Sequence, residues 1–288
     1  MRNRKLTPWL LLLPFLGVTA LVIVSIWNVL VQSLGVIPAF GLTEPTMEYY
    51  RQVLTSETFL RSLAVSLKIA FASAVLATVL GVLVCTGLVG CRKRGIVHVV
   101  RLPLLVPHTV VALFVITICS QTGLLARAAA ALGLIADSTE FPQLLYTESY
   151  LGVILAYLWK EIPFVAYFVL AFMGSISHTL GEAAENLGAS PVRAFFQVTL
   201  PLSVPVISRA FLIIFIFAFG GYELPLLLGS TLPKALSVQT YLAYMSPNLL
   251  ERPLAMAMNG VMLLLSLGMA GLYFLVMERA NRKLGGAA

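Results

Sequence analysis

Charge is what this chain has least of. Asp, Glu, Lys and Arg make up 11% of the 288 residues, against about 25% in a soluble domain. Other shortages exclude whole classes of chemistry. Cys85, Cys91 and Cys119 form neither an even disulfide framework nor a ligand spacing, and read as small apolar packing residues. His98, His108 and His178 stand apart, with no His-Glu-x-x-His grouping, so no metal site is expected. A membrane-embedded enzyme would need His, Asp or Cys clustered at one depth, and no such cluster is visible; no catalytic residue is expected. Nor is there a Gly-x-x-x-x-Gly-Lys phosphate loop. If ATP is used, another chain binds it.

What is present is apolar: 59% of residues are hydrophobic and the mean hydropathy is +0.95. This composition belongs to an integral membrane protein with several spans. The fold class expected is all-α, with six transmembrane helices. Runs at about Trp9–Leu34, Leu60–Leu88, Val99–Leu125, Tyr150–Gly174, Val204–Leu228 and Ala255–Met277 are each long enough for a bilayer core, which takes about 20 residues. Met1–Lys5 is short and basic, as in a signal peptide, but the following run exceeds the 7–15 residues or so of an h-region. An uncleaved first span is the reading taken. Gly35–Thr58, with Glu44, Glu48 and Glu57, is an exposed loop. The chain thus divides into an N-terminal helix with its external loop, 1–59, and a core of five helices, 60–288, with a polar loop at 175–203. In the second span Ser66, Ala70 and Ala74, with Ser73, Ala77 and Gly81, recur at four-residue spacing, which lets helices approach closely in lipid. Arg92-Lys93-Arg94 ends that span, and Pro103 and Pro107 interrupt the next.

The net charge of +7 suggests nucleic acid, but the basic residues are scattered between spans rather than gathered on one face. Membrane topology accounts for them better. With the N-terminus inside, Arg2, Arg4, Lys5, Arg92, Lys93, Arg94, Arg101, Arg193, Arg209, Arg279, Arg282 and Lys283 fall on inner segments. Only Arg51, Arg61, Arg127, Lys234 and Arg252 fall outside, while Lys68 and Lys160 lie within spans. That bias puts both termini, and the 175–203 loop, in the cytoplasm.

The stretch Gly181–Pro201, GEAAENLGASPVRAFFQVTLP, is the one built for a water-facing partner. Thr179 with Glu182 fits a capping box, which predicts a short helix starting there. Gly188 suits a helix stop, and Ser190-Pro191 an N-cap with Pro at the first helical position. An ordinary amphipathic loop would share this spacing. Yet Glu182-Ala183-Ala184, then Gly188 after three residues, then Leu200-Pro201, resemble the "EAA" loop of ABC importer permeases. That motif reads E-A-A, three residues, G, nine residues, I, one residue, L-P; Val198 replaces the Ile. The resemblance implies a coupling helix, including Ala189, that docks on a separate ATPase. It also implies two ABC ATPase subunits holding ATP and Mg, a second permease (identical or homologous), an extracytoplasmic binding protein and a bacterial inner-membrane location.

Ionisable residues within spans are costly and so are functional candidates. Glu223 lies between Gly220-Gly221 and Pro225, where the fifth span is expected to bend around a cavity. It either faces a solute pathway or pairs between helices. Lys160-Glu161, followed by Pro163, is a second candidate; adjacent helix residues do not face each other, so the two are not expected to neutralise one another. Trp159, Tyr157 and Tyr222 either stack on a ligand or pack. Asn186–Ser190 and Phe219–Gly229 resemble the spermidine/putrescine branch of the family, and the carboxylates suit a cation. A polyamine is therefore the expected solute, with iron, thiamine and oxyanion permeases as alternatives. A stand-alone secondary transporter is the rival class; it would carry a relay of buried carboxylates and no docking loop.

Overall fold

The structure is a computed structural model describing residues 7–89 and 94–285, with the backbone alone for several stretches, 173–182 among them. Met1–Lys5, Cys91 and Arg92-Lys93 lie outside the described residues. Regular structure among the described residues is helical, apart from a single bridge between Ile37 and Leu42. Among the described residues six stretches are long and apolar enough to cross a membrane: Leu10–Ser33, Glu57–Leu88, His108–Ala131, Leu151–Phe172, Phe195–Gly220 and Leu249–Arg279. The all-α, six-span expectation is met.

Chain contacts separate two compact units. One comprises Met1–Leu60 and Gln239–Leu267. It holds α1 (Thr7–Ser33) and α2 (Glu48–Thr55). In it the Ser33 and Tyr50 hydroxyls lie 2.8 Å apart, and the Tyr50 hydroxyl fills the space a side chain at Gly260 would need. The other unit comprises Arg61–Val238 and Gly268–Ala288. Most of α3 (Glu57–Val89) falls there, followed by α4 (Arg94–Leu105), α5 (His108–Cys119), α6 (Leu124–Ala131) and α7 (Leu151–Asn186). After these come α8 (Pro191–Ala194), α9 (Leu200–Gly220) and α10 (Glu223–Leu228). Like α3, two later helices run through both units: α11 (Leu236–Tyr244) and α12 (Arg252–Gly285).

At the centre of the larger unit, α7 packs against α4, α5, α9 and α10. Small residues set its approach to α3. Ala70, Ala74 and Ala77 are fully buried, and a Cβ on Gly81 would lie 2.5 Å from Val165 Cβ and 2.9 Å from the Ile162 carbonyl oxygen. Lys68, near one end of α3, donates to the Glu148 carbonyl at 3.2 Å. Tyr150, just before α7, is held at φ +58°, uncommon for a residue with a side chain. Its hydroxyl donates to the Pro233 carbonyl at 2.5 Å, and burial pushes its phenol up to about 12.

Three expectations about breaks are corrected. The third span begins at His108 rather than near Val99, because Pro107 stops the chain from continuing α4 into α5. The fifth helix stops at Gly220 instead of running to Leu228; Gly221 turns extended and α10 starts afresh at Glu223. No helix starts at Thr179, since α7 runs unbroken from Leu151 to Asn186. Nothing between Gly174 and Glu182 removes an amide, and with the helix already propagating a new cap gains nothing.

Candidate functional site

Two places in the larger unit carry most of the sequence-predicted residues: the turn after α7, and a cavity among α5, α7, α9 and α10. The turn comes first along the chain. At 36 residues α7 is about 54 Å long, while a bilayer core takes about 30 Å. Its apolar span ends at Phe172, so the last 14 residues, with Glu182, Ala183 and Ala184, extend it by roughly 21 Å. The Glu182 side chain lies outside what is described.

Gly188 ends the helix at φ +91°, a conformation that favours glycine. The Ala189 amide reaches back to the Ala184 carbonyl at 3.1 Å, and Leu187 N to Ala183 O at 3.2 Å. This is a Schellman-type stop, which satisfies carbonyls left over at the helix end. It leaves Leu187 90% exposed at the tip. Ser190 then caps α8, its Oγ accepting from Arg193 N at 3.4 Å and its carbonyl from Ala194 N at 2.9 Å. A π-turn over Phe195–Thr199 follows, in which Leu200 N donates to the Phe195 carbonyl. Pro201 explains it: the ring has no N–H and would clash with the carbonyl four residues back, so the ladder slips by one residue before α9 begins. Of the predicted pair of short helices, the first is thus the end of one long helix, while the second stands as α8, started at Pro191 and running through the π-turn into α9.

The cavity has a volume of about 580 Å³ and is lined by His108, Tyr157, Ile216, Phe217, Gly220, Gly221, Tyr222, Glu223 and Leu224. His108 and Glu223 are the first residues of α5 and α10, so each follows directly on a helix break. The rings of His108 and Phe217 lie 5.2 Å apart, and those of Tyr157 and Phe217 6.4 Å apart, edge to face. Among the described residues His108 Nε2 has no hydrogen-bond partner. The Tyr157 hydroxyl occupies the space where Gly221 would carry a Cβ, whereas a Cβ on Gly220 would meet nothing within 4 Å. One carboxylate, one imidazole and three aromatic rings around open space can hold a small polar solute through hydrogen bonds and ring faces.

Of the predicted pathway residues, Glu223 and Tyr222 line this cavity. Lys160 and Glu161 do not; both are buried, at 9% and 8% exposure, and Lys160 Nζ donates to the Val106 carbonyl at 2.5 Å. Trp159 points elsewhere, 41% exposed and edge-on to Phe114 at 6.3 Å. Sequence reasoning missed His108, Ile216 and Phe217. Only His108 had a signal, since Pro107 before it marks a helix start.

Known proteins resemble the chain along most of its length. Residues 77–282 match the family described as binding-protein-dependent transport system inner membrane component. A probable sulfate transport system permease protein of Prototheca wickerhamii is 30% identical over 154 residues, 54% of this chain and 56% of that one, so the chain spans about half the length of that relative. The sn-glycerol-3-phosphate transport system permease protein of Yersinia pestis bv. Antiqua (strain Antiqua) is 31% identical over 222 residues, covering 74% and 72% of the two chains. Among solved structures, a bacterial alginate ABC transporter in complex with an alginate pentasaccharide-bound periplasmic protein superimposes with a TM-score of 0.76 at 20% identity. That superposition covers 96% of this chain and 98% of the other, and shows a shared fold.

Proposed function

The chain belongs to the family of inner membrane components of binding-protein-dependent transport systems, the permease subunits of ABC importers, and from that premise we propose how it works. It is a multi-pass inner-membrane protein that forms half of a solute pathway, the other half coming from a second permease, identical or homologous. Two ABC ATPase subunits, which hold ATP and Mg, dock on the turn after α7. Their closure moves α7 and α9, which meet at that turn, and so switches the cavity between inward and outward openings. A solute-loaded binding protein supplies the cargo on the opposite side. Both termini face the cytoplasm, as the Lys and Arg bias suggests.

One observation carries this reading. The motif residues Glu182–Ala184 occupy the last turns of the helix that also lines the cavity through Tyr157, so a push at one end is delivered to the other along a rigid element. Gly188→Asp tests it. The expected result is loss of ATPase co-purification with membrane insertion intact, and unchanged co-purification would sink the docking reading.

The cavity favours a solute rich in hydrogen-bond donors, either an ammonium or a set of sugar hydroxyls, because Glu223 offers a carboxylate and the rings offer faces. A bare oxyanion would meet that carboxylate as a like charge. The polyamine expectation survives as the ammonium version. The relatives, named for sulfate, glycerol phosphate and alginate, lend it no support. Competitive uptake with labelled spermidine, an oligosaccharide and sulfate separates the three.

A further inference from the structure

His108 and Glu223 of the cavity each follow a helix break, and each break leaves a backbone carbonyl over. At the first, α4 ends at Leu105, and the amides of Val110 and Val111 both turn to the Pro107 carbonyl at 3.1 Å. Val106 O receives Lys160 Nζ instead, from α7, 54 residues away in sequence. At the second, the carbonyl of Gly221 would be served in a continuous helix by the amide of residue 225, which is a proline and has none. Ser237 Oγ donates to it at 2.5 Å, from α11. Ser237 is itself set in place by its neighbour, since Leu236 N donates to Ser66 Oγ at 2.7 Å. Both donors are 9% exposed, and neither lines the cavity.

An unpaired carbonyl is expensive where water does not reach, so a broken span survives only if something else satisfies it. We propose that Lys160 and Ser237 are positioning residues that hold the two breaks open, so that His108 and Glu223 face the solute. The inference rests on reading the cavity as the pathway, and it moves Lys160 from solute contact to strut. An ammonium fits the first break especially well. It meets the negative end of α4, where cationic groups are stabilised.

The test uses the whole importer complex purified from native membranes, and needs no knowledge of the solute. Amide hydrogen exchange is followed in the assembled complex with Lys160→Met and with Ser237→Ala. Exchange at 106–111 should rise at least tenfold in the first variant and at 219–224 in the second, each leaving the other break unchanged. Lys160→Arg and Ser237→Thr should restore wild-type exchange. ATP turnover should fall about fivefold in both loss variants, with the KM for ATP unchanged. If Lys160→Met does not assemble, Ser237→Ala, which removes one oxygen, carries the test. Unchanged exchange, or a rise at both breaks together, overturns the struts. Local exchange that rises while ATP turnover stays at wild type upholds the struts and overturns the reading of this cavity as the pathway.

Discussion

Two spans of similar length show what burial means in this protein. The first, Leu10–Ser33, carries no Asp, Glu, Lys or Arg, and none of its most apolar window is buried. The fourth, Leu151–Phe172, carries Lys160, Glu161 and Pro163, and 56% of its window is buried, the largest share of the six. In water the more apolar helix would be the inner one. In lipid the order reverses, because tails solvate Leu and Val as well as any protein core does. Charged residues are the ones that need a protein environment, so they mark the interior; proline alone does not, since Pro14 lies in the unburied first span. Apolarity locates the membrane here; polarity locates the protein interior.

The sharpest way to break that contrast is to add bulk on each side of it. Gly81→Val forces a branched side chain between α3 and α7, where even a Cβ would lie 2.5 Å from Val165 and 2.9 Å from backbone. A shift of packed backbone is required, at a cost of about 3 kcal/mol. Thermal unfolding of the purified complex, followed by size exclusion, should show early loss of the monodisperse peak. A wild-type profile would mean that the central packing is looser than the structure has it.

A finer contrast lies within one glycine pair. Gly221→Ala drives a methyl into the Tyr157 hydroxyl, while Gly220→Ala meets open space. Uptake should fall on the order of tenfold in the first and stay near wild type in the second, an energy difference of about 1.4 kcal/mol. Equal effects would detach Tyr157 from the pathway. Glu223→Gln keeps the shape and removes the charge. For an ammonium solute, losing a charge-assisted partner worth about 1.5 kcal/mol or more should cut uptake roughly tenfold, with assembly unchanged. For a sugar the loss should be smaller, and normal uptake would return Glu223 to a packing role.

Much of the fold was legible in sequence, and the physics explains which parts were. Span number follows from run length alone, since a bilayer imposes a minimum. The Gly188 stop and the Ser190-Pro191 start follow from local backbone chemistry, and both appear in the structure. The breaks before His108 and Glu223 were legible as proline and glycine, as an interruption and a bend, but without the partners that hold them. Whether a proline ends a helix in lipid depends on a donor elsewhere to take the freed carbonyl. Those donors, Lys160 and Ser237, lie 54 and 16 residues away. Lys160 drew notice as a charge, yet nothing local distinguishes a strut from a ligand. Trp159 was grouped with Tyr157 and Tyr222 as an aromatic, but helix geometry turns it well away from Tyr157, two residues earlier, at about 100° per residue. Thr179 failed for the opposite reason: its cap chemistry is sound but sits in the interior of a helix that had no cause to stop.

The smallest effect is expected on the first span, and it bears most on what the span is for. Gly17 lies midway along α1 with nothing within 4 Å of where its Cβ would be. Gly17→Val therefore meets no clash, and replacing glycine within a helix adds a few tenths of a kcal/mol through propensity. Lipid should accept the new side chain as it accepts Leu16 and Val18 beside it. Unfolding of the isolated chain is then expected within about 0.5 kcal/mol of wild type. The informative comparison is the same variant in the complete complex. If lipid covers that face there too, the complex is equally indifferent. If a second permease lies against Gly17, the variant separates the two preparations, weakening the complex while leaving the single chain untouched. A fall in both would show that α1 packs within its own chain, and the contrast between the first and fourth spans would fail.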